Sequence, residues 1–136
     1  SQDATFCVKE VDLAIVADIG TLQRLPPIVG EGTARDLAMT GRTFGADEAF
    51  AMGLVSRVLP DRDTLEKEAL EAAKAIASKS PLTIRGIKQV RNHSRNRPVE
   101  EGLDYVAHWN AAMLFSKDSQ EAMSAMMEKR APKFDD

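Results

Sequence analysis

Phe6-Cys7-Val8-Lys9-Glu10-Val11-Asp12, followed by Ala17-Asp18-Ile19-Gly20-Thr21-Leu22-Gln23-Arg24-Leu25-Pro26 and Val29-Gly30, is the stretch that decides the fold. Residues 5–9 are expected as a strand. Gly20 to about Val29 is expected as a short helix, with Leu22, Leu25 and Ile28 recurring every three residues and Pro26-Pro27 tightening it. Between these elements stand two carboxylates, Glu10 and Asp18. Two such groups near one substrate can act as base and acid when their environments set their pKa values apart. Spacing alone does not bring them together: eight residues of strand span roughly 26 Å, and eight of helix rise about 12 Å with the side chains on different faces. A loop or bend is required. The intervening Val11-Asp12-Leu13-Ala14-Ile15-Val16-Ala17 is apolar apart from Asp12, so a carboxylate at either end can sit in an apolar wall that raises its pKa. Taken by themselves, both residues are most simply read as solvated, because charged side chains are mostly exposed.

Working outward, Gly30 and Gly32 punctuate the chain. Ala34 to Thr40 is expected as a second helix with Leu37 and Ala38 inward, stopped by Gly41. Thr43-Phe44 reads as a short extended piece. A helix opens at Gly45-Ala46-Asp47-Glu48-Ala49, with acids in its first turn complementing the dipole and Gly53 as its stop. Leu54 to Leu59 is a strand candidate ended by Pro60. Asp61 or Asp63 caps a helix to about Ser78 whose stripe is Leu65, Ala69, Ala72, Ala73 and Ile76. Ser80-Pro81 restarts the chain as a helix through about Val90. Pro98 opens a long helix to about Ser116 with Leu103, Val106, Ala107, Asn110, Met113 and Leu114 on one face. A last helix spans about Asp118 to Lys129. The chain is therefore mostly helical with two or three short strands. It divides into residues 1–60, which carry the carboxylate pair, and a helical region 61–136.

Composition excludes several classes. With 43% apolar and 29% charged residues among 136, the chain is an ordinary globular sequence and not a disordered or fibrous one. A net charge of −3 gives no global reason to expect nucleic acid or an anionic membrane. Cys7 is the single cysteine, which excludes an intrachain disulfide, and His93 and His108 are the only histidines, so no Cys/His metal cluster is expected. No apolar run approaches the roughly 20 residues that span a bilayer. The sequence starts at Ser1 and enters an apolar run within a few residues, so it is expected to be a fragment whose partner strands come from elsewhere.

The three runs quoted first resemble the signature that follows the central strands of the enoyl-CoA hydratase/isomerase, or crotonase, superfamily. Thr40-Gly41-Arg42, Ala46-Asp47-Glu48-Ala49, Gly53-Leu54-Val55 and Lys79-Ser80-Pro81 continue the similarity over almost the whole chain. The resemblance implies an α/β crotonase fold, a ββα superhelix in the full protein, of which this chain is the C-terminal half. Glu10 matches the second catalytic glutamate of the hydratases. At Asp18 the hydratases resemble Pro-Gly-x-Gly-Gly, whereas Ala17-Asp18-Ile19-Gly20 is similar to the Δ3,5-Δ2,4-dienoyl-CoA isomerases. Tyr105 and Trp109 are similar to the same group and are expected as supporting core residues. The implied chemistry is isomerisation of a 3,5-dienoyl-CoA to a 2,4-dienoyl-CoA in fatty-acid β-oxidation, with Glu10 and Asp18 shuttling protons. The alternatives are an enoyl-CoA hydratase, or a relative without activity that serves in assembly or RNA binding.

The same resemblance implies an acyl-CoA thioester as substrate with no separate cofactor or metal, and an oxyanion hole, CoA loops and a further carboxylate in an N-terminal half outside this chain. It also implies a homotrimer or hexamer built on the helical C-terminal region, in the mitochondrial matrix or peroxisome; on the charge and hydropathy given above, neither nucleic acid nor membrane is expected as partner. Lys129 is the candidate for a CoA phosphate, with Arg130 beside it; the plain alternative is a pair of cations favoured at a helix C-terminus. The basic stretch Arg85, Lys88, Arg91, Arg95 and Arg97 reads as a solvated helix face, since no aromatics interleave it. His93 and His108 are expected at surface, core or interface positions. Met113, Met123, Met126 and Met127 are expected as adaptable packing for a subunit interface.

Overall fold

The computed structural model describes residues 1–134. The chain separates into two compact units, Ser1–Ala69 and Leu70–Asp136, with the boundary inside one helix. In the first unit, β1 (Thr5–Phe6) pairs antiparallel with β2 (Phe44–Gly45), Thr5 opposite Gly45 and Phe6 opposite Phe44. The ladder is shorter than the expected 5–9 strand, because the chain turns into a 3₁₀ segment at Glu10–Leu13. The expected helix from Gly20 to Val29 forms as two single turns, α1 (Thr21–Arg24) and α2 (Pro26–Val29). Pro26 and Pro27 remove two amide donors in succession, so the ladder cannot run through them.

α3 (Glu31–Thr40) begins one turn earlier than the sequence suggests, because the Ala34 amide reaches the Gly30 carbonyl at 3.0 Å. Gly41 ends it with φ +59°, the left-handed conformation a C-terminal glycine adopts without penalty. α4 (Ala46–Ala51) follows directly from β2. The core of this unit is Val8, Leu37, Phe44 and Ala49, with Phe6 and Leu25 packed against it. Phe6 and Phe44 stack with centroids 5.5 Å apart.

Leu54–Leu59 does not form the expected strand. Its first two amides, Leu54 and Val55, turn back to the Ala49 carbonyl at the end of α4, at 2.8 and 3.3 Å. Those donors are spent on closing a helix, and the segment's one bond toward the strand side is Leu59 accepting from the Gln2 amide at 2.8 Å. α5 (Arg62–Ala77) is capped by Asp61, whose carboxylate accepts the Thr64 amide at 2.7 Å. Its apolar stripe has no buried residue in this chain, and Ile76 is 56% exposed.

In the second unit, α6 (Pro81–Ser94) starts at Ser80-Pro81 as expected and runs a turn longer. The Ser80 hydroxyl accepts the Thr83 amide at 3.0 Å and donates to Asp118. α7 (Val99–Met113) packs on α6 through two glycines, Gly86 beneath the Trp109 indole and Gly102 against Ser94. The inward face of α7 is therefore Gly102, Tyr105, Val106, Trp109 and Met113, rotated from the expected face; Leu103 and Leu114 are each 60% exposed. Tyr105 and Trp109 are the packing residues the sequence suggests, and His93 stacks on Tyr105 with centroids 4.0 Å apart.

α8 (Lys117–Met127) ends two residues before Lys129. There the Lys129 amide bonds the Met126 carbonyl and the Arg130 amide bonds the Ala125 carbonyl at 3.0 Å, with Lys129 at φ +54°. This is a Schellman termination with lysine where glycine is usual. No helix among the described residues is long and apolar enough to cross a membrane.

Candidate functional site

Glu10 opens the 3₁₀ segment, and its position follows from how that turn is closed. The Ala14 amide bonds the Val11 carbonyl at 3.2 Å and the Ile15 amide bonds the Glu10 carbonyl at 3.2 Å, with Ala14 left-handed at φ +56°. Lys9 and Asp12 pair across the turn. The chain thus reverses immediately after Glu10, which supplies the bend that spacing demanded.

The half-buried Glu10 side chain lines a cavity of about 410 Å³ in the first unit. The wall on its own side is Val8, Val11, Ile15, Val16 and Ala17; Leu22, Leu25 and Pro26 of α1 and α2 continue it. α3 forms the opposite wall with Ala34, Ala38 and Met39. The other polar lining groups, Glu31 and Arg35, satisfy each other at 2.8 Å across one helical turn. Among the described residues the Glu10 carboxylate has neither a hydrogen bond nor an ion pair. An unpaired carboxylate in an apolar wall is a group that can exchange a proton with a bound molecule.

Asp18 is exposed and is not among the lining residues, although its neighbour Ala17 is buried and lines the wall. The structure thus places Glu10 in the cavity wall and Asp18 one residue beyond it. The Asp18 loop is fixed from α1: the Arg24 guanidinium donates to the Ile19 carbonyl at 3.2 Å, and Gly20 at φ +94° leaves room for it. The sequence alone does not mark the positioning role of Arg24 or the place of the Glu31–Arg35 pair in the wall. The signal for the pair was the Glu-x-x-x-Arg spacing after Gly30, which marks an i,i+4 contact but not the wall it faces.

The remaining candidates lie in the second unit. Lys129 is exposed, while Arg130 is engaged by both oxygens of Glu121 at 2.5 and 2.9 Å and by Glu128 at 2.5 Å. The guanidinium of Arg130, with the Lys133 amide as a second donor, lowers the Glu121 carboxyl to about 2. Arg85, Lys88 and Arg91 are exposed on α6. The His108 ring donates to the Asp104 carbonyl at 2.6 Å. Among the described residues no group of three His, Cys, Asp or Glu is placed to hold a metal ion.

Comparison with known proteins gives a consistent answer. A family model described as enoyl-CoA hydratase/isomerase matches residues 1–136. The peroxisomal Delta(3,5)-Delta(2,4)-dienoyl-CoA isomerase of Arabidopsis thaliana is 54% identical over 134 residues, covering 98% of this chain and 48% of that protein. The mitochondrial enzyme of the same name from Rattus norvegicus is 46% identical over 134 residues, covering 98% and 41%. The crystal structure of an enoyl-CoA hydratase from Bacillus anthracis superposes with a TM-score of 0.93 at 34% identity, over 98% of this chain and 51% of that one. The chain spans about half the length of the relatives it matches.

Proposed function

This chain belongs to the enoyl-CoA hydratase/isomerase family and has its crotonase fold, and on that premise we propose that the complete protein isomerises a 3,5-dienoyl-CoA to the 2,4-dienoyl-CoA in fatty-acid β-oxidation. The observation that carries the reading is Glu10, unpaired in a cavity whose other two polar lining groups, Glu31 and Arg35, satisfy each other, and whose wall ends one residue before Asp18. The names of the Arabidopsis and rat relatives support the choice of reaction.

In this reading Glu10 removes a proton from C2. The electron pair becomes the C2–C3 double bond as the C3–C4 double bond shifts to C4–C5, and the C5–C6 pair takes up a proton at C6 from Asp18. The charge accumulates on a planar dienolate, so donors on the thioester oxygen are required, each worth a few kcal/mol. Those donors and the CoA loops belong to sequence outside this chain. A hydratase would instead gather two acids about one water.

Lys129 is the cation proposed for a CoA phosphate. Its exposed side chain just past the end of α8 supports this, since it is open to an anionic ligand. The exposed Leu114, Phe115, Met123, Met126 and Met127 support a trimer or hexamer assembled through residues 98–130. The relatives' names, one peroxisomal and one mitochondrial, support one of those two compartments. The acyl-CoA is the substrate, and the reaction needs no further cofactor.

The test is the gain in ultraviolet absorbance of a conjugated 2,4-dienoyl product when the complete protein meets a 3,5-dienoyl-CoA. Glu10→Gln and Asp18→Asn are each expected to lower kcat by about 10² to 10⁴, the usual worth of a positioned acid or base. An Asp18→Asn enzyme at the full rate contradicts the isomerase assignment. A protein inactive on dienoyl-CoA that yields a 3-hydroxyacyl product, or that binds RNA instead, contradicts it as well.

A further inference from the structure

We propose that Gly41 is a positioning residue for Glu10: the bare Cα at the end of α3 is the seat against which the turn carrying Glu10 is packed. The proposal rests on the reading of Glu10 as an acid–base group. Gly41 adopts φ +59°, and a Cβ built on it would lie 2.8 Å from Val11 Cγ1 and 3.2 Å from an Asp12 carboxylate oxygen. Val11 and Asp12 are the two residues after Glu10 in the same 3₁₀ segment. The Gly41 carbonyl also accepts the Cys7 thiol at 3.0 Å, between β1 and that turn. One residue therefore meets both the strand exit and the turn that lead into Glu10, and it ends α3, the helix that supplies the opposite wall of the cavity.

The geometry has a mechanical consequence. For a Cβ at residue 41 to reach ordinary contact at 3.4 Å, Val11 must retreat by about 0.6 Å. Val11 is held by its backbone in the closed turn Glu10–Ile15, so in this proposal its displacement passes through that turn to Glu10. Misplacement of a reacting group by around 1 Å can cost about 10²-fold in rate. A shift of about 0.6 Å is accordingly expected to cost about tenfold in kcat, with little change in substrate binding.

Gly53 provides the internal control. It is also left-handed, at φ +78°, but the nearest atom to a Cβ there is the Ile28 carbonyl oxygen at 3.8 Å. Gly53→Ala thus carries the same backbone strain without a steric push. In the complete protein, with a 3,5-dienoyl-CoA, Gly41→Ala is expected to lower kcat about tenfold and to leave KM within about twofold. Gly53→Ala should lose stability with kcat unchanged. Val11→Ala removes the clashing methyl, so Val11→Ala/Gly41→Ala should turn over at the rate of Val11→Ala alone. If Gly41→Ala does not fold, Val11→Ile with glycine retained presses the same contact from the other side and should show the same loss of kcat. Full kcat in Gly41→Ala, or a loss that Val11→Ala fails to rescue, overturns the proposal. The rate of Glu10→Gln, measured beside these, separates the two ideas: if it equals the parent rate, the acid–base reading of Glu10 is what has failed.

Discussion

The α6–α7 contact makes a sharp prediction, because two effects of opposite sign compete at Gly86. Replacing a mid-helix glycine by alanine usually stabilises a helix by about 1 kcal/mol. At Gly86, however, the new Cβ would lie 2.6 Å from Trp109 Nε1, 2.7 Å from Cε2 and 2.9 Å from Cζ2. The indole, a rigid plate, must retreat by about 0.8 Å to reach 3.4 Å, and it cannot bend away one atom at a time. Overpacking of this kind costs about 1–3 kcal/mol, and contact with three ring atoms places Gly86→Ala at the upper end. Set against the propensity gain, the net expected loss is about 1–2 kcal/mol. Urea unfolding of the complete protein, with m unchanged, should show the midpoint falling accordingly. In a Trp109→Leu background the same substitution should become neutral or stabilising. A midpoint that stays or rises on Gly86→Ala with Trp109 present would refute the claim that the bare glycine surface seats the indole.

Leu37 is completely buried in the core of the first unit, so Leu37→Ala should cost about 2–5 kcal/mol by chemical denaturation, and a loss under 1 kcal/mol would contradict its central place. Ser80 is 8% exposed and serves both the Thr83 amide and Asp118; Ser80→Ala should cost about 1–2 kcal/mol and speed exchange of the Thr83 amide. The Glu121 carboxyl is lowered from 4.5 to about 2, first by the Arg130 guanidinium and then by the Lys133 amide. Because its folded value lies below its unfolded one, its contribution is present above pH 4.5 and is lost as pH falls through about 2. The Lys133 amide signal should titrate near pH 2, and a midpoint near 4.5 would show that the Glu121 contact is not made in solution.

Much of the fold was legible because local chemistry decides it. Ser80-Pro81 announces a capped helix whatever surrounds it, and Gly41 stops α3 because a left-handed residue is needed there. Leu54–Leu59 misled because its apolar residues suit a strand equally well, while what decides the matter is that the Leu54 and Val55 amides are drawn to Ala49. On α7 the helical period allows two apolar stripes, and Gly86 on another helix selects the one bearing Trp109. The site divides in the same way. The bend between Glu10 and Asp18 was required by distance and is closed locally through Ala14, but the approach of Gly41 to Val11 and Asp12 is a tertiary fact. No local pattern marks the opposite wall of the cavity, because α3 becomes a neighbour of Glu10 only through folding.

The central claim is that Glu10 and Asp18 relay a proton along a dienolate, and the isotope pattern of the product tests it most directly. The complete protein would convert a 3,5-dienoyl-CoA in deuterium oxide, with the product assigned by NMR. The account predicts a 2,4-dienoyl-CoA carrying deuterium at C6, since the Asp18 carboxyl exchanges with solvent before donating, and predicts that Asp18→Asn slows that incorporation by at least about 10²-fold. A 3-hydroxyacyl product, or deuterium delivered to C6 at an undiminished rate by Asp18→Asn, would contradict it.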